Sequence, residues 1–346
     1  MVMPARRGLL LGIAAAASFG VSAPLAKRLL HDVEPQMLAG LLYLGAFWAL
    51  ALVPRRHARE APLQRADLPR LGVVIAFGGI AAPVLLLLGL QRVSGVAGSL
   101  LLNLEGVFTI LLGVTLFREH LSRRASAGCA VIFGGAVVLG LSGGDLHADA
   151  FGVALIALAC AAWGVDNNVT QGLSLHDPRR LVQIKAGVAG LVNISLALLI
   201  GNDVPAMSTL LAAFALGGLS YGLSVYWDAL ALRELGAARE AGIFAIAPFV
   251  GALVAPLVLP ESLGANELVA GALMAVGVWF LLHEQHGHVH RHDSLVHEHV
   301  HTHDAHHAHR HTPGADESVP HSHRHEHEPL VHTHEHVSDA HHRHSH

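Results

Sequence analysis

Long apolar runs alternate with short polar or basic breaks along most of this chain. Ten runs stand out, near 8–28, 36–53, 71–90, 95–116, 125–142, 151–171, 182–200, 209–229, 241–259 and 264–282. Each approaches the ~20 residues that a helix needs to cross a ~30 Å hydrocarbon core. Leu, Ala, Val and Gly dominate them, and most show no polar face at helical period, as a soluble helical core would require. Small residues such as Gly218 and Gly222 suit close helix packing in lipid. The pattern therefore predicts an all-α integral membrane body with ten transmembrane helices. From about residue 284 the pattern changes to a polar, His-rich tail.

The breaks carry the orientation. Fifteen of the 22 Lys and Arg residues fall on one side of the alternation, only Lys27, Arg28 and Arg92 on the other, and four in the tail. The basic side is expected in the cytoplasm. Ten crossings then put both termini there, in a cell (inner) membrane. Arg6, Arg7 and the apolar run up to Val21-Ser22-Ala23 have the layout of a cleavable signal. An internal repeat argues instead that this run is a retained helix.

Phe19-Gly20-Val21-Ser22-Ala23-Pro24 lines up with Trp163-Gly164-Val165-Asp166-Asn167-Asn168, and Pro35 with Pro178. Leu90-Gln91-Arg92 matches Leu232-Arg233-Glu234, and Glu119-His120-Leu121 matches Glu261-Ser262-Leu263. The offset stays at 142–144 residues. Each half holds five runs, an odd number, so the halves must be inverted relative to each other. Inverted repeats mark secondary carriers, with the substrate site near mid-membrane between the halves. The expected division is 1–143, 144–283 and a tail at 284–346.

On these residues the chain resembles the drug/metabolite transporter superfamily, specifically its EamA-like domains. The motifs are Pro24-Leu25-Ala26-Lys27, Leu104-Glu105-Gly106-Val107-Phe108, Phe117-Arg118-Glu119-His120-Leu121, Ala247-Pro248-Phe249-Val250-Gly251 and Pro260-Glu261-Ser262-Leu263. The resemblance covers nearly all of 8–282. It implies a ten-helix carrier, often an exporter of metabolites or amino acids. Gly106 departs from it, since the family more often has Pro there.

Ionisable groups at membrane depth are expensive and are functional candidates by default. Glu105 sits mid-way along the fourth run, a place from which a carboxyl can couple transport to protons or ligate a cation. Asp166, Asn167 and Asn168 lie deep in the sixth run. Three consecutive polar groups cannot all face lipid, so that helix is expected beside protein or a water-filled cavity, with Trp163 one turn away. Lys27 and its repeat partner Gln171 suggest a shared polar position. Asp228 reads as a solvated helix end near Arg233, and Lys185 as an interfacial anchor. Cys129 and Cys160 read as small core residues. No nucleotide loop, nucleophile elbow or zinc-protease motif occurs, so no enzyme and no required cofactor are expected.

Composition sharpens the division. Charged residues are 14% of the chain and the net charge is −4, yet 24 of the 29 His lie between His283 and His346. The tail is itself a duplication, 286–311 matching 321–346 at an offset of 35. Low apolar content predicts disorder without a ligand. Its His-x-His spacing suits chelation: His286, His288, His290, His292, His297, His299 and His301 in the first copy. The second copy repeats it with His321, His323, His325, His327, His332, His334 and His336. Imidazole with interleaved carboxylates favours divalent zinc, nickel, cobalt or copper; a pH-sensitive tether is the alternative use. Acidic groups outnumber Arg by ten to four in the tail, which favours cations over nucleic acid. The expected partners are thus the lipid bilayer and a small-molecule or metal-ion substrate, with homodimer assembly left open. The competing class is a membrane-anchored metal buffer or sensor without transport.

Overall fold

The computed structural model describes residues 3–53, 63–117, 121–141, 149–173 and 176–283, with four short tail segments. Glu119, His120, Arg118 and the arginines at 55, 56 and 59 lie outside the described residues. All ten expected spans are present: α1 (Arg6–Leu29), α2 (Pro35–Leu52), α3 (Arg65–Leu90), α4 (Gly95–Leu116), α5 (Arg123–Leu141), α6 (Ala150–Gln171), α7 (Pro178–Leu199), α8 (Met207–Leu235), α9 (Arg239–Val258) and α10 (Ala265–Leu282). The largest departures are at α3, which starts earlier, and α8, which runs further. A polar stretch at 65–70 precedes the apolar segment of α3, while α8 carries Arg233 and Glu234 among leucines past residue 229.

Several starts are encoded locally. Pro35 and Pro178 occupy first turns, where a missing N–H is harmless. Asp177 and Asp149 cap α7 and α6 by accepting from the Arg179 and Phe151 amides, both at 2.9 Å. The buried Arg179 closes a neighbouring end, its Nε donating to the Leu50 carbonyl at 3.0 Å. Cations favour helix C-termini for the same dipolar reason.

The packing follows the repeat. α2 lies on α7 and α5 on α10, each joining equivalent spans of the two halves, while α1 on α8 matches α6 on α3. Small residues allow the approach. A Cβ on Gly128 would stand 2.9 Å from the Gly277 carbonyl oxygen, and one on Gly277 2.8 Å from that of Gly128. With lipid tails as apolar as leucine, such van der Waals contact is a main source of helix association. Leucines 52, 141, 199 and 257 are at least 80% exposed on the outside. A surface of that kind belongs against acyl chains rather than water.

Two irregularities recur at an offset of 143 residues. Wide π-type turns occupy Ile75–Ala81 in α3 and Gly218–Leu223 in α8. Turns break α4 at Leu102–Asn103 and α9 at Ala245–Ile246. Broken helices at membrane depth are tolerated where they face protein or a cavity.

In the tail only the backbone is described. There β1 (His286–His292) pairs antiparallel with β4 (Leu330–His336), and β2 (Leu295–His301) with β3 (His321–His327). Both pairings join one copy of the tail duplication to the other.

Candidate functional site

Proline 83 starts the site. Its ring nitrogen cannot donate, so carbonyls one turn back in α3 are left open. The wide turn at 75–81 presents these carbonyls to other helices. The Gly78 oxygen accepts from the Tyr43 hydroxyl at 2.6 Å and from Trp163 Nε1 at 3.1 Å. The Gly79 oxygen accepts from Asn193 Nδ2 at 3.2 Å. Spans α2, α6 and α7 are thus tied to one turn of α3, and the buried polar groups are satisfied as lipid demands.

The same glycines make room for charge. A Cβ on Gly78 would run into the Asp166 carboxyl, and one on Gly79 would stand 2.7 Å from Ala189 and 3.6 Å from Lys185. Asp166 pairs with Lys185 across α6 and α7 and accepts from the Thr170 hydroxyl at 3.0 Å. Lys185 is therefore not an interfacial anchor. Its long stem carries the ammonium inward to the one carboxylate that a glycine pair has left room for.

Glu105 lies in the first turn after the break in α4. Asn167 Nδ2 donates to its Oε1 at 2.9 Å and to Thr109 Oγ1 at 3.2 Å. Asn168 Nδ2 bridges the Thr109 and Gly164 carbonyls, both at 2.9 Å. Nothing lies within 4 Å of a Cβ placed on the exposed Gly106, so this flank of α4 opens on space. Asp166, Lys185 and Asp228 all lie within electrostatic reach of Glu105. Spans α4, α6, α7 and α8 therefore present charge to one interior region.

Of the residues expected at the site, Glu105, Trp163, Asp166, Asn167 and Asn168 come together. Gln171 ends α6 one turn nearer the basic end. Lys27 stands at the opposite end, where its Nζ donates to the Leu90 and Val93 carbonyls at 2.8 and 2.7 Å, 4.0 Å from Glu261. Lys27 and Gln171 thus occupy opposite ends, as an inverted repeat requires. Sequence reasoning missed Tyr43, Thr109 and Lys185. A hydroxyl half-way along α2 was the available signal for Tyr43. Asp228 is also moved: α8 runs on to Leu235, so Asp228 lies within the helix and is half-buried instead of sitting at a solvated end.

The two ends differ in closure. Away from the basic side, α4 packs on α9, with Glu261 Oε2 accepting from the Gly95 amide at 2.7 Å and Glu267 Oε1 from the Ser94 hydroxyl at 2.6 Å. At the basic end the continuations of the same spans, Leu104–Phe117 and Ala237–Phe244, share no comparable packing among the described residues. Among the described residues no group of three or more potential ligands could hold a metal ion. The tail imidazoles expected to do so lie outside the described side chains.

Comparison with known proteins adds four findings. The model of the EamA-like transporter family matches residues 6–141 and again 150–283. A Methanothermobacter thermautotrophicus protein described as an uncharacterized transporter is 30% identical over 289 residues, 78% of this chain and 84% of that one. A Salmonella typhimurium protein described as a probable amino-acid metabolite efflux pump is 30% identical over 268 residues, 72% of this chain and 86% of that one. A crystal structure at 18% identity superposes with a TM-score of 0.59 over 79% of this chain and 95% of that one, which speaks for the fold alone.

Proposed function

The chain belongs to the EamA-like transporter family, and from that premise we propose that it exports a small amino-acid-like solute by alternating access of its inverted halves. It is an integral membrane transport protein and not an enzyme. The observation that carries the solute class is the Glu105 site. One carboxyl, oriented by the Asn167 amide, stands at the first turn of a broken helix, next in sequence to the open flank at Gly106. A carboxyl so placed can receive a solute ammonium; the Asn167 amide already donates to Glu105 and Thr109 and the Thr109 hydroxyl to the Glu105 carbonyl, so what this cluster offers a solute is an acceptor. The name of the Salmonella relative supports the same class. The basic end is assigned to the cytoplasm of a cell (inner) membrane on charge placement, so the less packed of the two ends is the one that admits solute from inside.

The test uses the full chain in proteoliposomes, with a panel of radiolabelled amino acids in counterflow. At least one is expected to accumulate, and Glu105→Gln is expected to lower its rate by roughly tenfold or more, as loss of a charged contact worth about 1.4 kcal/mol or more predicts. Wild-type protein that exchanges none of the panel overturns the reading.

A second role belongs to the tail. We propose that its His-x-His segments bind zinc, nickel, cobalt or copper(II) on the cytoplasmic side. The backbone register supports it, with His288 opposite His334 and His299 opposite His323, as residues a few ångströms apart across a ribbon. Deleting residues after 285 is expected to abolish metal binding and leave amino-acid counterflow intact. Metal flux that survives the deletion would make the body the metal carrier.

A further inference from the structure

The region around Glu105 is short of donors, because its neutral N–H and O–H groups are already committed. Asn167 Nδ2 serves Glu105 and Thr109, and Asn168 Nδ2 serves the Thr109 and Gly164 carbonyls. The Thr109 hydroxyl donates to the Glu105 carbonyl at 2.9 Å. Tyr43 and Trp163 both donate to the Gly78 oxygen, and the Thr170 hydroxyl donates to Asp166. An amino-acid solute brings a carboxylate as well as an ammonium. Away from bulk water that carboxylate needs N–H or O–H partners, best of all charged ones.

Lys185 is the donor with capacity left. Its ammonium carries three N–H groups, and among the described residues Asp166 is its one hydrogen-bond partner. The two members of this pair are not equally held. The Asp166 carboxyl is wedged against Gly78, where a Cβ would not fit, and Thr170 holds its other oxygen at 3.0 Å. The Lys185 side chain is 18% exposed, that of Asp166 only 6%. α7 packs mainly on α2 and on the wide turn of α3, so the Lys185 stem passes over Gly79 to reach α6. An anchored carboxylate thus steadies an ammonium that keeps open N–H groups.

One helix sets the acceptor beside this donor. Asp166 and Asn167 are consecutive on α6, with Cα atoms about 3.8 Å apart. Asn167 holds Glu105 on α4, and Asp166 holds Lys185 on α7. Packing does not demand the charged pair. In the other half, at offsets of 143–144 residues, Gly78, Asp166 and Lys185 correspond to Tyr221, Ser22 and Leu42. All three of these are buried, and none is charged. Buried ion pairs are often no more stable than apolar packing of the same volume, so stability alone does not account for this one.

We propose that Lys185 is the carboxylate receptor of the solute site: Glu105 takes the ammonium of an amino acid and Lys185 its carboxylate, while Asp166 holds the Lys185 ammonium in position. An amine that lacks the carboxylate is then poor cargo. This assignment rests on the amino-acid reading of Glu105 and adds the group that selects amino acids over amines.

Full-length protein in proteoliposomes is assayed by counterflow of radiolabelled amino acids. Each is competed by itself unlabelled and by the amine without its carboxylate, such as isopentylamine for leucine and phenethylamine for phenylalanine. The readout is the ratio of the two half-inhibitory concentrations, which a general loss of activity leaves unmoved. Wild type is expected to favour the amino acid at least tenfold. Asp166→Asn keeps the cation and is expected to keep that preference. Asp166→Asn combined with Lys185→Met strands neither partner and is expected to lower the preference at least tenfold. Shifts in melting temperature with the same compounds read binding without turnover, and in the double variant amino acid and amine should stabilise alike. A preference that survives in the double variant, or falls equally in Asp166→Asn, overturns the role of Lys185 and leaves Glu105 as the ammonium receptor. Loss of both thermal shifts together in the double variant makes the pair a structural support and overturns it too. Wild type that exchanges no amino acid overturns the solute reading itself, and this assignment with it.

Discussion

At Gly78 the absence of a side chain decides where a charge can sit. The Asp166 carboxyl occupies the space a Cβ would take, and Lys185 follows it inward. Removing one member of such a pair strands the other. Lys185→Met is expected to destabilise the protein by about 3–5 kcal/mol, whereas the double variant with Asp166→Asn recovers most of it; thermal melts of purified protein read the difference. Equal melting temperatures for single and double variants would show that the pair is not coupled. Glu105 and the run from Trp163 to Asn168 were legible in the sequence because polar groups in an apolar run have few places to go. Lys185 and Asp228 were not. Their distance from a helix end suggested solvent, but burial is decided by neighbours on other helices, which no single run reveals.

The elements themselves were largely legible, since apolar length and odd–even counting leave little freedom in a bilayer. The irregular turns were not, because Ile75–Ala81 is as apolar as its surroundings. Only Pro83 hinted that carbonyls there would need outside donors. Tyr43→Phe and Trp163→Phe each remove one of two donors to the Gly78 oxygen. Each alone is expected to cost about 1 kcal/mol, and the double variant more than the sum, because only then is that carbonyl orphaned. Additive shifts in melting temperature would contradict this. The start of α6 offers a pH test. Hydrogen bonds from the Phe151 amide and from Arg92 hold the Asp149 carboxyl below the ordinary carboxylate range. Its capping contribution is thus present at neutral pH and is lost as pH falls through the lowered value. Asp149→Ala should lower the melting temperature at neutral pH, with the gap to wild type closing in acid.

On the scale of the whole molecule, one end is fastened across the halves by Ser94 to Glu267 and Gly95 to Glu261, and within the first half by Lys27 to the carbonyls of Leu90 and Val93. A cysteine in place of the buried Ser99, with Cys129 and Cys160 changed to serine, should resist impermeant thiol reagents added from that side. Introducing Glu267→Gln should speed its labelling several-fold; unchanged protection would mean that the hydrogen bonds do not hold this end shut. The duplication behind this geometry also fixes an energetic symmetry. Were the halves identical, the conformation open at one face and its two-fold-related counterpart open at the other would be equally populated. Any resting preference must then be written in the positions where the halves differ, such as Lys27 against Gln171, or Pro83 against Tyr226. About 1.4 kcal/mol distributed over such positions tilts the population tenfold. The differences between the halves therefore set the direction in which the carrier waits.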